Sequence, residues 1–372
     1  MTSARLAVSL VFFLHGIAGG MWAARIPAIQ ANLALGVGTL GLALLGGGLG
    51  TLLVMLPTGA LIARRGSRLV ARWLALPVCI ALVCLALATD AITLFAAMIL
   101  WGASAAALDV AMNAQGATIE QRRGRPIMSS LHGLWSVGNM SGAVVGAFVA
   151  GLGISVRTHF LVAAPVLWVA LVLAPRRFTS GDVREDAGVR FALPRGSLLA
   201  LAAVAFCAVM TEGAMFDWAA VFLRRELSAP EATAALAPSF FSAAMAAGRL
   251  GGDQLTARVR APLVARLCAA VAAVGIAAMI FAPVSLIVFG GLVGVGLGLS
   301  VLVPLAFGAA GRSTQMPTGT AIAAVATVGY FGFLVGPPTI GLVAEQVTLR
   351  GGFVVLLVLL GLIAVLAPAI ES

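Results

Sequence analysis

Between Arg266 and Arg312 the chain reads LCAAVAAVGIAAMIFAPVSLIVFGGLVGVGLGLSVLVPLAFGAAG, residues 267–311, without one charged side chain. About 20 apolar residues in a helix cross the hydrocarbon core of a bilayer. This stretch is about twice that length, so it must turn once, and Ala282-Pro283 is where it does so. Two consecutive membrane spans are therefore written into it.

The rest of the chain agrees. Of 372 residues 61% are hydrophobic and 10% charged, and the mean hydropathy is +1.10. A soluble domain is about a quarter charged, so this chain has too little polar surface for water. Nucleic-acid binding by a soluble basic protein is excluded on the same ground, despite a net charge of +10. The first apolar run, Leu6 to Ala24, carries no cleavage site and is read as a retained span rather than a signal peptide. Cys79, Cys84, Cys207 and Cys268 lie singly in apolar runs, which suggests neither a disulfide framework nor a metal site.

Cutting the sequence at charges, prolines and polar turns gives twelve spans: 6–30, 39–63, 70–89, 91–116, 127–151, 157–174, 197–222, 233–250, 263–282, 284–310, 318–344 and 351–370. All 23 basic residues are arginine. With the N-terminus inside, 17 of them fall on the inner side and only Arg157, Arg224, Arg225 and Arg350 on the outer, while Arg25 and Arg249 fall within spans or at their ends. That asymmetry puts both termini in the cytoplasm of a bacterial inner (plasma) membrane and makes anionic inner-leaflet lipid a partner. The longest polar connection divides the chain into an N-terminal bundle (1–174), a cytoplasmic linker (175–196) and a C-terminal bundle (197–372). The halves echo one another: Trp22-Ala23-Ala24 late in span 1 matches Trp218-Ala219-Ala220 late in span 7. An all-α protein of two pseudo-symmetric six-helix bundles follows.

The turn after span 2, Gly59-Ala-Leu-Ile-Ala63-Arg64-Arg65-Gly66-Ser-Arg68, resembles the major facilitator signature, with Ala63 where that signature has aspartate. In the second half Gly248-Arg249-Leu250-Gly251-Gly252-Asp253 keeps an acid in the corresponding turn. The segments Asp109-Val-Ala-Met-Asn113-Ala-Gln115-Gly116, Ser129-Ser130-Leu-His132-Gly133-Leu-Trp135, Thr211-Glu212-Gly213-Ala-Met-Phe-Asp217-Trp218 and Gly329-Tyr330-Phe-Gly332 resemble bacterial inner-membrane transporters of the YbjJ type, a branch similar to the fucose permeases. The resemblance implies a secondary transporter, proton-coupled; a small-molecule substrate and a monomeric state are separate expectations. Gly59, Arg64, Arg65, Arg249 and Asp253 are its gating candidates.

Ionisable groups inside hydrocarbon cost several kcal/mol, so each is a functional candidate. Counting 1.5 Å per residue, Arg25 lies about 28 Å along span 1, and Glu212 and Asp217 about 22 and 30 Å along span 7. All three share the outer third, where Arg25 can pair with Glu212 or Asp217 or simply snorkel to water. Asp109, about 27 Å along span 4, approaches the cytoplasmic side near Asn113 and His132. That cluster reads as a proton site, an inner gate or a polar anchor for the turn between spans 4 and 5. The substrate-contact candidates are Trp22, Arg25, Asn113, Glu212, Asp217 and Tyr330, and the proton-coupling candidates are Glu212, Asp109 and His132. Pro337-Pro338 is expected to break or kink span 11.

No nucleotide loop, metal-ligand spacing or nucleophile elbow occurs, which argues for no enzyme, no cofactor and no metal. The leading expectation is alternating-access transport of a polar or amphipathic solute. A proton-antiporting multidrug or metabolite exporter is the runner-up, and a membrane sensor a distant third. In a background lacking the four native cysteines, a cysteine at Ser180 is expected to label from the cytoplasm and one at Ser228 from outside. Labelling in the opposite sense refutes the orientation.

Overall fold

The computed structural model describes residues 2–124, 127–179 and 193–371; the side chains of Thr2, Leu56, Asp253, Gln254, Leu255 and Ala257 are outside that description. Most of the 175–196 linker is therefore also outside it. Among the described residues the fold is helical without a strand. The helices are α1 (Thr2–Asn32), α2 (Val37–Arg65), α3 (Ser67–Leu87), α4 (Ala91–Arg123), α5 (Met128–Gly151), α6 (Val156–Leu173), α7 (Ser197–Leu227), α8 (Glu231–Ala235), α9 (Ala237–Arg258), α10 (Ala261–Ile280), α11 (Ser285–Leu299), α12 (Leu302–Arg312), α13 (Thr318–Gln346) and α14 (Leu349–Leu366). Short 3-10 turns follow α6 at Ala174–Arg177 and α14 at Ala367–Ile370. Among the described residues eleven segments are long and apolar enough to cross a membrane, with α11 and α12 counted as one. The 22-residue α9 has the length for a twelfth.

Differences from the expected spans have local causes. Helix α4 runs seven residues past 116, because its polar end, Ala117 to Arg123, continues the helix until Gly124 turns left-handed at φ 62°. Helix α7 likewise continues to Leu227 and stops at Ser228, φ 51°. The expected start of span 8 is a separate short helix, α8, because Pro238 has no N–H with which to continue it. The span 284–310 is interrupted at Ser300-Val301, just before Pro304, and the Ser300 hydroxyl donates to the Leu297 carbonyl at 2.7 Å. The turn at Ala282-Pro283 is where expected, between α10 and α11. Pro337 and Pro338 do not break their span: α13 runs through both.

The Asp90 carboxylate caps α4 by accepting from the Thr93 N–H at 2.8 Å. That backbone bond, with the Thr93 hydroxyl second, holds the Asp90 carboxyl below the usual range. Glu120 anchors the turn between α4 and α5, accepting from the N–H groups of Ile127 (2.6 Å) and Met128 (3.0 Å). A carboxylate at a helix N-terminus meets free N–H donors and the positive end of the helix dipole. The anchor expected from Asp109, Asn113 and His132 is thus supplied by Glu120.

The chain forms two compact units, Met1–Glu185 with Pro230–Ser239, and Asp186–Ala229 with Phe240–Ser372. The segment Pro230–Ser239, expected in the C-terminal bundle, groups with the first unit because Ala235 packs into a cluster with Ala24, Ala143 and Ala147. Within the first unit α1 and α5 meet backbone to backbone. A Cβ on Gly16 would lie 2.1 Å from the Trp135 carbonyl oxygen, and one on Gly142 2.1 Å from that of Ile17. In the second unit Gly332 approaches the α7 backbone at Phe206 and Met210 in the same way. Small residues every four positions are what let helices associate where no hydrophobic drive separates protein from lipid.

Gly16→Ala or Gly142→Ala is therefore expected to destabilise the detergent-solubilised protein by about 1–3 kcal/mol or more. Gly361→Ala, with nothing within 4 Å of the new Cβ, is expected to leave the melting temperature unchanged. Equal melting of all three variants refutes the close contact.

Candidate functional site

Two buried charged groups organise the two units separately. In the first unit Arg25 is 2% exposed on α1. Its Nη2 donates to the Ile154 carbonyl at 2.7 Å and lies 3.4 Å from the Glu231 carboxylate. Its Nε and Nη1 have no hydrogen-bond partner among the described residues, and neither does either ring nitrogen of the nearby, buried His159. The expected partners Glu212 and Asp217 are not its partners. The acid is Glu231 on α8, which like His159 is absent from the sequence-based candidates. No local signal pointed to either, because His159 lies 134 positions and Glu231 206 positions from Arg25.

Deeper in the same unit, His15 links three helices. The Trp135 indole N–H donates to its Nδ1 at 2.8 Å, and its Nε2 lies 3.2 Å from the Ala105 carbonyl. A ring that accepts at Nδ1 carries its proton on Nε2, so one neutral tautomer satisfies both contacts. Trp135 is thereby committed to His15. Asp109 sits two residues past the midpoint of the 33-residue α4 rather than near its end. Asn113 donates to the Asp109 backbone carbonyl at 2.9 Å, while His132 makes an edge contact with Phe12, centroids 5.3 Å apart. The structure therefore joins Asp109 to Asn113 and sets His132 against α1. Trp22 is 5% exposed, too enclosed to be an anchor at the lipid surface.

The signature turn holds its arginines differently. Gly66, at φ 81°, makes the bend between α2 and α3, a conformation that favours glycine. The Arg65 guanidinium lies over Trp73, 6.0 Å from the ring centre. Arg64 is exposed, and a Cβ at Gly59 would meet nothing within 4 Å. Gln115 knits the same end together, donating to Ser67 Oγ at 2.7 Å and to the Thr179 carbonyl at 3.0 Å.

In the second unit Glu212 has 15 residues of α7 on either side and stands at the middle of the helix. Arg249 of α9 reaches it, Nη2 to Oε1 at 3.4 Å, with side chains 20% and 12% exposed. Arg249 was expected at the end of span 8, beside the turn. It lies instead inside α9, which continues to Arg258, and Asp253 lies in the same helix with its side chain outside the described residues. Glycines on either side of Arg249 seat α9 on the interruption between α11 and α12: a Cβ at Gly248 would collide with Ser300, and one at Gly252 with Val301. Asp217, five residues beyond Glu212, is half-buried. Tyr330 on α13 stacks with Phe333, centroids 6.3 Å apart. At the end of α7, Glu226 accepts from the Leu349 N–H (2.8 Å) and pairs with Arg350 (3.3 Å), whose guanidinium also donates to the Ile280 and Ala282 carbonyls. That network ties α7, α10 and α14.

Among the described residues no group of three or more histidine, cysteine, aspartate or glutamate side chains is placed to hold a metal ion. The profile of the Major Facilitator Superfamily matches residues 8–318. An uncharacterised MFS-type transporter of Yersinia pestis is 34% identical over 99% of this chain and 96% of its own. An uncharacterised transporter of Sinorhizobium fredii is 35% identical over 98% and 97%. Among solved structures, the nucleoside transporter NupG superposes with a TM-score of 0.77 at 15% identity, covering 99% of this chain and 98% of its own. A bacterial homologue of the human lysosomal transporter Spinster gives 0.75 at 15%, covering 98% and 96%. At such identity the likeness is one of fold.

Removing one partner of a buried ion pair strands the other charge. Arg249→Gln is expected to lower stability by about 3 kcal/mol, and adding Glu212→Gln to recover part of the loss, read from melting temperatures of the two single variants and the double variant. Strictly additive losses refute the pairing.

Proposed function

Because the chain belongs to the Major Facilitator Superfamily, a family of membrane transporters, we propose that it is a secondary active transporter driven by protons, moving a small polar or amphipathic solute by alternating access. Its location in this reading is a bacterial inner membrane with both termini cytoplasmic, supported by the 17 to 4 division of arginines and by the bacterial source of its relatives.

The observation that carries the proposal is the Glu212–Arg249 pair. It sits at the midpoint of α7 and on an α9 face packed against an interrupted span. Its single 3.4 Å contact is long for a charge-assisted hydrogen bond, which is ordinarily about 2.7–2.9 Å. A proton arriving on Glu212 removes one charge of the pair and releases Arg249 from it. A carboxylate that is ionised when paired and neutral when released alternates between two arrangements of α7 and α9, and reorientation through hydrocarbon is cheaper for the neutral form. Substrate contact in this reading falls to Trp22, Arg25, Asn113, Glu212, Asp217 and Tyr330. Two nitrogens of Arg25, Nε and Nη1, have no partner among the described residues and can donate to a solute oxygen. Asp109 and His132 stand behind Glu212 as proton carriers, and Gly59, Arg64, Arg65 and Asp253 with Arg249 as gate residues.

Glu212→Gln removes the titration and keeps the shape. In sealed vesicles this variant is expected to exchange labelled substrate across the membrane like the wild type while no longer accumulating it under an imposed pH difference. Undiminished accumulation refutes the assignment, and the same assay on Asp109→Asn then tests the next carboxylate.

A further inference from the structure

Helices α5 and α6 both pack against α1 yet scarcely touch one another. At the N-terminal end of α1 this leaves a groove of about 670 Å³ lined by Ser3, Arg5, Leu6, Ser9, Leu10, Phe13, Leu134 and Arg177. The lining is of two kinds. Arg5, in the first turn of α1, and Arg177, in the 3-10 turn after α6, are its cations. Leu6, Leu10, Phe13 and Leu134 form its wall, and Leu6 and Leu10 are 65% and 41% exposed. From Ser3 to Phe13 the groove follows α1 for about 15 Å.

Neither arginine pairs with a carboxylate or donates a hydrogen bond among the described residues, whereas Arg25, Arg249, Arg260 and Arg350 each have an acidic partner. Two guanidiniums with no acid between them repel each other unless an anion lies between. An apolar wall below them is matched by hydrocarbon and not by water. Paired cations above an apolar slot are complementary to one molecule available to every membrane protein: an acidic phospholipid. Basic pockets between spans take its headgroup, and the arginine fork matches its phosphate.

We propose that this groove binds one anionic phospholipid of the leaflet that holds the N-terminus. Its phosphate lies between Arg5 and Arg177, the hydroxyls of Ser3 and Ser9 face its glycerol region, and an acyl chain lies along Leu6, Leu10, Phe13 and Leu134. The site is built wholly from the first unit and is independent of Glu212 and of the transport cycle.

Native mass spectrometry of the full chain, released from mixed micelles holding equal phosphatidylglycerol and phosphatidylcholine, tests this. The wild type is expected to retain one phosphatidylglycerol in preference to phosphatidylcholine by about tenfold, as two basic residues at a membrane surface allow. Arg5→Gln with Arg177→Gln is expected to abolish the preference, and Arg258→Gln with Arg266→Gln, an equal loss of charge elsewhere, to preserve it. Leu10→Trp, which fills the slot and leaves both arginines, is expected to reduce retention as well; an unchanged melting temperature verifies its fold. Equal retention of the two lipids by the wild type overturns the proposal, as does a preference that survives the Arg5/Arg177 double change. Displacement of the lipid by millimolar inorganic phosphate or glycerol phosphate overturns it too, since it would make the site one for a free anion.

Discussion

Hydrocarbon offers a polar group no partner, and nearly every feature of this protein follows from that. Each backbone N–H and C=O must bond within its own segment, so the spans are helices. Side-chain hydroxyls inside them turn back on their own helix: Ser104 donates to the Leu100 carbonyl, Thr118 to Ala114, Thr211 to Cys207 and Thr327 to Ala323. Helices that cannot gain by leaving lipid associate through close contact instead, which is why glycine rather than leucine lies where α1 meets α5 and where α13 meets α7.

The same constraint sorts the charges. Arginines at helix ends reach carbonyls or water, as Arg68 does at Arg176 and Arg312 at Ile370. The two that lie inside have acids. Arg25 takes a carbonyl and an acid supplied by the short helix α8, which fixes α8 to the first unit. Arg249 and Glu212 take each other, in a contact long enough that protonation can undo it. The exposed pair Arg260–Glu371, 78% and 52% exposed, is of another kind, and such surface pairs contribute little. Buried pairs are where a change of protonation moves structure, so function is sought there.

Hydropathy, arginine position and proline made the spans legible in the sequence alone, because whether a segment lies in lipid is a one-dimensional property of its own composition. The turn at Ala282-Pro283 and the helical class were both readable on that basis. Helix ends were less so. Polar residues from Ala117 to Arg123 and from Leu223 to Leu227 look like loop to a hydropathy count, yet helix propensity carries them on until a residue turns left-handed. With those ends included, Glu212 and Asp109 stand near the middles of their helices. Partners were not legible at all. Arg25 belongs with Glu231, His15 with Trp135 and Ala105, Glu212 with Arg249, and Glu120 with the start of α5. Each pairing depends on which helix faces meet and at what height, and those are set by glycine contacts between segments far apart in the chain. The sequence determined how many times the chain enters the membrane and where its charges must be accommodated; only the tertiary structure decided which charge answers which, because pairing is a property of two surfaces in contact and a sequence displays one surface at a time.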